Sequence, residues 1–319
     1  MADKKILVLT YWSFDTALIQ TYTLPYVKQM VRASGKTTRV YLFTLSQSSG
    51  YSVDYQKQIE ELKAQNIYVL HFSYRKFGIW MAIKMLFILM YLILFTWRKG
   101  ITHVHAWCTP GGAIGYLVSK LTGRPLILDS FEPHAETMLE GNTWNKNSLA
   151  YRILFSLEKK QLARASEVIC AAPGMIEHSV KTYGIRKHRY FVKPACVDLQ
   201  LFDPAHLTPP ELPFKLKSNV CVYAGKFGGI YLEKEVFDFF KTAFDYWNGD
   251  FSVLLLTSHS DDEIARYCEQ SGFPASAMVK LMVPHRLVPS YMKAGTFGFC
   301  PVKPLPSKLF CTPIKNGEY

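Results

Sequence analysis

Short apolar runs rich in branched residues recur along the chain, each followed by a stretch with helical spacing. This alternation limits the possible folds more than any other feature. The runs cover 6–10, 39–43, 67–72, 101–104, 125–129, 168–171 and 189–193. Helices are expected between them, at about 16–32, 55–64, 109–121 and 144–165, and again from Pro173. Strand and helix in repeated succession predict an α/β domain, with a parallel sheet covered by helices on both faces. A proline-rich stretch, 205–218, then interrupts the pattern. It restarts with a strand from Val220, a helix to about Trp247, a strand at 251–257, a helix near 262–270 and a strand at 279–283. The expected domains are therefore 1–204 and 219–319, joined by a linker at 205–218. A chain of 319 residues is long enough for two cores of this size.

The most apolar segment runs from Phe77 to Trp97, interrupted only by Gly78, Lys84 and Thr96. Its length just meets the ~20 residues needed to cross a bilayer. Strands are expected on both sides of it, and a crossing would put parts of one sheet on opposite sides of a membrane. The reading is a helix that packs on the sheet with one face and leaves the other face apolar. Arg75, Lys76, Arg98 and Lys99 bracket it, as basic residues bracket helices lying on an anionic membrane surface. A wholly buried helix is the other reading. The formal charge of +12 also favours anionic partners. Nucleic acid is not expected, because no basic run carries interleaved aromatics and no zinc-finger spacing occurs. Seven cysteines without a Cys-x-x-Cys pair suit a reducing compartment. With Lys4 and Lys5 leading straight into the first strand, the expected location is cytoplasmic, at the inner membrane face.

The chemistry concentrates at 220–231. Val220 and Val222 lead into Gly225, Lys226 follows it directly, and Gly228 and Gly229 come next. Leu232, Val236, Phe239 and Phe240 then recur at helical spacing. A strand, a glycine turn with a cation and a helix N-terminus together make a phosphate site. An ordinary turn with a solvated lysine is the alternative. The sequence is neither a Walker A loop nor a Gly-x-Gly-x-x-Gly fingerprint. The turn after the first strand holds no glycine, which argues against a nicotinamide dehydrogenase. Asp261, Asp262 and Glu263 suit a helix N-terminus better than a metal site. His103 and His105, expected to end a strand and to point to opposite faces, are not expected to share a metal, and no metal or covalent cofactor is anticipated.

In several places the chain resembles the glycosyltransferases of the GT-B architecture, particularly family 4 of the retaining sugar-nucleotide enzymes. The resemblance rests on Glu132-Pro133-His134, on 192–198 with Phe202, and on Tyr223-Ala224-Gly225-Lys226. It rests also on 288–294 and on Pro313-Ile314-Lys315-Asn316-Gly317-Glu318-Tyr319. It implies two Rossmann-like domains with parallel sheets facing across a cleft, the first holding the acceptor and the second the nucleoside-diphosphate sugar. By the same resemblance, His134 contacts the donor sugar, Lys226 neutralises the leaving diphosphate, and Glu318 holds the ribose hydroxyls. Lys315, one helical turn before Glu318, could touch the same ligand.

The chain departs from the family pattern. The second basic residue after Lys226 is replaced by Tyr231, with Lys234 nearest, and the first glutamate of Glu-x7-Glu falls at Phe310. Ser307 and Lys308 could take over part of that surface. Because the chain stops at Tyr319, the resemblance implies an incomplete second domain, and activity belonging to a longer protein. Two rivals stay open. A sugar-nucleotide epimerase would need carboxylates at the sugar, with Glu132 the strong candidate; the other rival is a nucleotide- or membrane-binding protein without turnover.

Overall fold

The computed structural model describes residues 3–34, 37–46, 50–74, 79–186, 189–212 and 215–319. The chain forms two compact units, Met1–Pro194 with Leu309–Cys311, and Ala195–Lys308 with Thr312–Tyr319. In chain order the first unit contains β1 (Lys5–Leu9), α1 (Leu24–Ser34), β2 (Arg39–Ser46), α2 (Val53–Ala64) and β3 (Ile67–Ser73). Next come α3 (Ile79–Lys99), β4 (His103–Trp107), α4 (Cys108–Thr122), β5 (Leu126–Asp129) and α5 (His134–Glu140). α6 (Leu149–Arg164), β6 (Glu167–Cys170), α7 (Gly174–Tyr183) and β7 (Tyr190–Val192) complete it.

The seven strands form one parallel sheet in the order β3-β2-β1-β4-β5-β6-β7. The order reverses between β1 and β4, and ligands of open α/β sheets bind outside the strands' carboxyl ends at such a point. One face of the sheet carries the main core, where Leu7, Val104, Ala106 and Leu128 meet Ile88 and Leu92 of α3 and Val118 of α4. Burying a side chain of this size contributes about 1.5–3 kcal/mol. α3 is long and apolar enough to cross a membrane by length and composition. Yet it connects two strands of one sheet, and Ile88, Leu92 and Thr96, at four-residue spacing, are buried against that sheet's helical layer. Its opposite face is exposed and apolar. The expected first residues, Phe77 and Gly78, and the flanking Arg75 and Lys76 lie outside the described residues.

Three local expectations are corrected. A wide π-helical turn, Leu18–Thr23, precedes α1, and Pro25, which has no N–H to give, sits just past the change. The long helix expected from Trp144 begins only at Leu149, where Ser148 accepts the Tyr151 N–H at 3.2 Å and caps it. His103 begins β4 instead of ending it.

The second unit contains β8 (Asn219–Ala224), α8 (Lys234–Tyr246), β9 (Phe251–Leu256), α9 (Asp261–Ser271), β10 (Met278–Leu281) and α10 (Val288–Met292). β11 (Phe297–Gly298) and α11 (Lys315–Glu318) follow. Its sheet is parallel, ordered β10-β9-β8-β11, with the reversal between β8 and β11. Aromatic rings dominate one of its cores, with Tyr223, Phe237, Phe240, Phe251 and Phe273 all buried. The units divide after Pro194, upstream of the proline-rich boundary read from sequence. The intervening stretch is tied to the second unit. The Ala195 N–H donates to Thr312 Oγ1 (2.7 Å), Lys293 Nζ donates to the carbonyls of Pro204 and Leu207, and the Lys217 N–H donates to Ser252 Oγ (3.1 Å).

Candidate functional site

In the second unit the reversal point holds a lysine with no ion-pair partner among the described residues. β8 ends at Ala224, and Gly225 turns the chain with φ +125°, a conformation that favours glycine. A Cβ there would lie 2.7 Å from Cε of Lys315, so the turn and the lysine can be this close only because residue 225 is glycine. Lys315, in the first turn of α11, is 8% exposed, and its Nζ has no hydrogen-bond partner among the described residues. The ammonium lies over two rings, 4.4 Å from the centre of Tyr223 and 3.8 Å from that of Tyr231. Burial pushes its pKa down to about 8, against Cys300 and Glu318, which favour the charged form. Tyr319 closes the same corner. Its hydroxyl accepts the Ala224 N–H (3.1 Å) and donates to the Phe299 carbonyl (3.2 Å), bridging the chain at the ends of β8 and β11. Glu318 is mostly covered and faces His285 at 3.6 Å.

The remaining residues expected here are spread more widely. Lys226 is exposed, while its carbonyl accepts the Tyr223 hydroxyl at 2.9 Å. The next N–H, of Phe227, donates to His259 Nε2 at 3.0 Å. Gly228 and Gly229 carry the turn onward with φ +78° and +62°, and the Glu233 carboxylate packs against Gly228. The helix starts later than the spacing from Leu232 predicts. Tyr231 forms an antiparallel bridge with Val302 and the Leu232 N–H donates to Pro301, so the chain stays extended and α8 begins at Lys234. Lys234 is ion-paired along its own helix with Asp238 at 2.7 Å. The bridge that delays the helix is also what holds Tyr231, whose ring covers Lys315.

The first unit has its own cluster at the strands' carboxyl ends. Glu132 follows β5, and its carbonyl accepts the His134 N–H (2.9 Å) and the Thr109 hydroxyl (2.8 Å). His134 Nδ1 lies 3.8 Å from Glu132 Oε1, and Cys311 Sγ donates to Oε2 at 3.1 Å. Cys108 and Ser130, just past β4 and β5, have φ of 54° and 50°. Such strained backbone gathers where loops must present groups at a sheet's end. Beneath them Asp129 accepts from His105 Nε2 (2.9 Å) and Lys193 Nζ (2.6 Å). Burial raises the Asp129 pKa, but those two partners outweigh it and hold the group below the usual carboxylate range. Lys193 in turn lies over Tyr26 (3.8 Å) and Trp107 (4.2 Å). Behind α5, Glu158 accepts the Ala135 N–H (2.8 Å) and the Tyr183 hydroxyl (3.1 Å), and burial pushes its pKa up to about 8.

Sequence reasoning named His134, Glu132, Lys315 and Glu318, but not Asp129, His105, Tyr223, Tyr231 or Tyr319 as parts of a site. The last five sit in apolar or aromatic surroundings that read as ordinary core. The expectation that His103 and His105 point to opposite faces is corrected: two apart on β4, they share a face and line one cavity of about 420 Å³ near the strands' amino ends. Among the described residues no group of three side chains could hold a metal ion. Phe310, at the place of the missing glutamate, packs on His178 with ring centres 4.7 Å apart. Ser307 and Lys308 are buried.

No protein-family model matches the chain, and no curated protein does. Solved structures do. Sucrose-phosphate synthase from Thermosynechococcus elongatus aligns over 92% of this chain and 74% of its own, at 12% identity and a TM-score of 0.64. HepE of Anabaena, in complex with UDP and glucose, aligns over 92% and 73%, at 13% identity and a TM-score of 0.59. The chain has the GT-B fold. The GT-B neighbours include a putative UDP-N-acetylglucosamine 2-epimerase from Listeria monocytogenes, at 9% identity and a TM-score of 0.55 over 93% of this chain and 74% of that one. At such identities the likeness concerns the fold, and the chemistry has to be argued from the residues.

Proposed function

We propose that the protein is a retaining, family 4-type glycosyltransferase that takes a nucleoside-diphosphate sugar and works in polysaccharide biosynthesis. Its acceptor is a glycan or a lipid-linked sugar at the cytoplasmic face of a membrane. One observation carries the reading. Lys315 is a buried cation whose ammonium has no hydrogen-bond partner among the described residues, placed under a glycine turn at the reversal point of the second sheet. A buried charge is costly unless paired, and a diphosphate at the Gly225 turn would pair it.

Charge grows on the diphosphate as the bond to the anomeric carbon breaks, and a fixed lysine stabilises that charge. Lys226 adds a second, solvent-facing charge, and in this reading Glu318 takes the ribose hydroxyls. The acceptor oxygen bonds to the anomeric carbon on the face the phosphate leaves, and its proton passes to a departing phosphate oxygen. No side-chain nucleophile is required, and the lysines supply the charge that a divalent cation would. In the first unit, His134 orients the sugar, with Glu132 fixing the imidazole. The exposed apolar face of α3 supports the membrane side of the reading.

A second reading, sugar-nucleotide epimerisation, is favoured by the epimerase among the structural neighbours and by the carboxylate of Glu132 beside His134. Incubation with UDP-sugars, followed by NMR of the sugar and nucleotide signals, separates the two. Release of UDP with a new α- or β-linkage matching the donor supports transfer. Isomerised sugar without UDP-linked transfer assigns the epimerase. Binding without either product leaves a nucleotide-binding protein and overturns both.

A further inference from the structure

α3, α4 and α6 lie on the same face of the first sheet and all begin at its carboxyl edge. A groove of about 300 Å³ runs between them, from the first half of α3 to the middle of α4 and α6. It is lined only by apolar side chains, with Met85, Leu86 and Leu89 on one wall, Ala113 and Leu117 on α4, and Leu157 on α6. It does not end at the lining. On α3 it opens onto an exposed face where Trp80 is 80% and Phe87 64% exposed, and where no charged residue occurs from Met85 to Trp97. On α6, Leu149 and Ile153 stand two turns and one turn before Leu157 on the same stripe, and both are exposed. The apolar surface is thus a furrowed sheet of three helices, wider than a single amphipathic face. Patches of this extent mark a surface that meets protein or lipid. Trp97 beside Arg98 and Lys99, on a chain of formal charge +12, matches an anionic bilayer.

The inner end of the groove points to its occupant. Ala113 and Leu117 lie one and two turns beyond Thr109 on the same stripe of α4, and Thr109 donates to the Glu132 carbonyl. At 1.5 Å per residue, Ala113 is about 6 Å along the axis from that contact. We infer that the groove seats the hydrocarbon tail of the acceptor, which makes the acceptor class lipid-linked, with its sugar held at the Glu132–His134 turn. A tail in the groove brings the head group to the sheet's edge while the α3 face rests in the interface. The inference rests on the proposed transferase acting at a membrane.

Three measurements on the full chain test it, with failures that can be told apart. The first is sedimentation with phosphatidylcholine–phosphatidylglycerol vesicles, which reports the membrane reading alone. The second is binding of pyrene-labelled palmitate by fluorescence, in wild type and in Ala82→Phe and Ala113→Phe, which fill the groove from an exposed and a half-buried position. Both variants should bind the probe at least about tenfold more weakly, with vesicle sedimentation changed by less than about twofold. Phe87→Glu, on the outer face, should do the reverse. The third is binding of dodecyl glucoside, which should weaken severalfold in Glu132→Gln while palmitate binding stays unchanged. Equal palmitate affinity in wild type and both filled variants would overturn the groove. Indifference of dodecyl glucoside to Glu132→Gln would overturn the acceptor assignment and leave a bulk-lipid seat. A dimer in sedimentation velocity that Phe87→Glu dissociates would make the face an interface between copies and overturn the inference as a whole. A wild type that binds the probe but fails to sediment with the vesicles would sink the membrane reading only.

Discussion

Lys193 in the first unit and Lys315 in the second are both largely buried lysines lying over aromatic rings, each near the carboxyl end of a parallel sheet. Lys193 meets Asp129 at 2.6 Å, and Asp129 also accepts from His105, so that charge is balanced inside the unit. Lys315 has rings but, among the described residues, no carboxylate within bonding distance, and burial lowers its pKa to about 8. The rings are common to both, so the aromatic surroundings do not separate them. The carboxylate does. One lysine completes a structural network, and the other is left for an anion to complete.

The largest effect should come from breaking the balanced site. Asp129→Asn leaves Lys193 without its counter-charge in a buried setting, and a single amide oxygen to accept from both Lys193 and His105. Removing one partner of a buried pair costs about 3–5 kcal/mol. The melting temperature should fall on the order of 10 °C. Calorimetry that showed a fall as small as that of a surface substitution would mean Lys193 is served by solvent, and the contrast with Lys315 would lose its basis.

Lys315→Met is the counterpart. It removes an unpaired buried charge and keeps an unbranched chain of similar length, so stability should hold or rise. Affinity for a nucleoside diphosphate should drop roughly 10- to 100-fold by calorimetry, the equivalent of a charge-assisted hydrogen bond. The preference over the monophosphate should shrink with it. A variant that melts lower and still binds the diphosphate normally would return Lys315 to a packing role.

The fold was legible because alternation of strand and helix survives in the residue pattern, and strands such as Phe251–Leu256 are buried on both faces. The site was legible only in part. Lys315 and Glu318 could be named by resemblance, but the reason Lys315 matters could not. That reason depends on Gly225, ninety positions earlier in the chain, and on Tyr231, held in place by a bridge to Val302. Nothing local marks either link. Asp129 was hidden for a similar reason. It reads as the last residue of an apolar strand, and only the pairing of β5 with β4 brings His105 to it. Leu232, assigned to a helix by spacing, was misread because a tertiary bridge overrode its periodicity.

A pH series sharpens the same contrast with a smaller effect. The Lys315 pKa is lowered relative to the unfolded chain, so the folded protein binds this proton less tightly. The resulting penalty on stability is present in full below about 8. It is relieved as pH rises from about 8 toward the unfolded value near 10.4, so the stability of wild type should gain on Lys315→Met across that window. Diphosphate binding needs the charged form and should move the other way, weakening roughly tenfold between pH 7 and pH 9. Lys315→Met should show neither slope. A wild type whose binding is flat over that range would mean that another cation carries the phosphate.

Lys226 is the cation most able to do so, and its substitution should have the smallest effect of the four. It follows the glycine turn directly, which made it the more visible candidate in the sequence, but it is exposed and its charge is screened by water and salt. Exposed charge pairs are worth about 0.2–1 kcal/mol, so Lys226→Ala should weaken diphosphate binding only about two- to fivefold. That loss should fade in high salt, whereas the Lys315→Met loss, made in a buried setting, should persist. Lys226→Arg should recover most of it, since an exposed site asks for charge more than for geometry. If calorimetry instead gave Lys226→Ala the larger, salt-resistant loss, the order of the two lysines would invert. The exposed residue would then have to be drawn onto the diphosphate when it binds, and Lys315 would keep only its contact with the rings of Tyr223 and Tyr231.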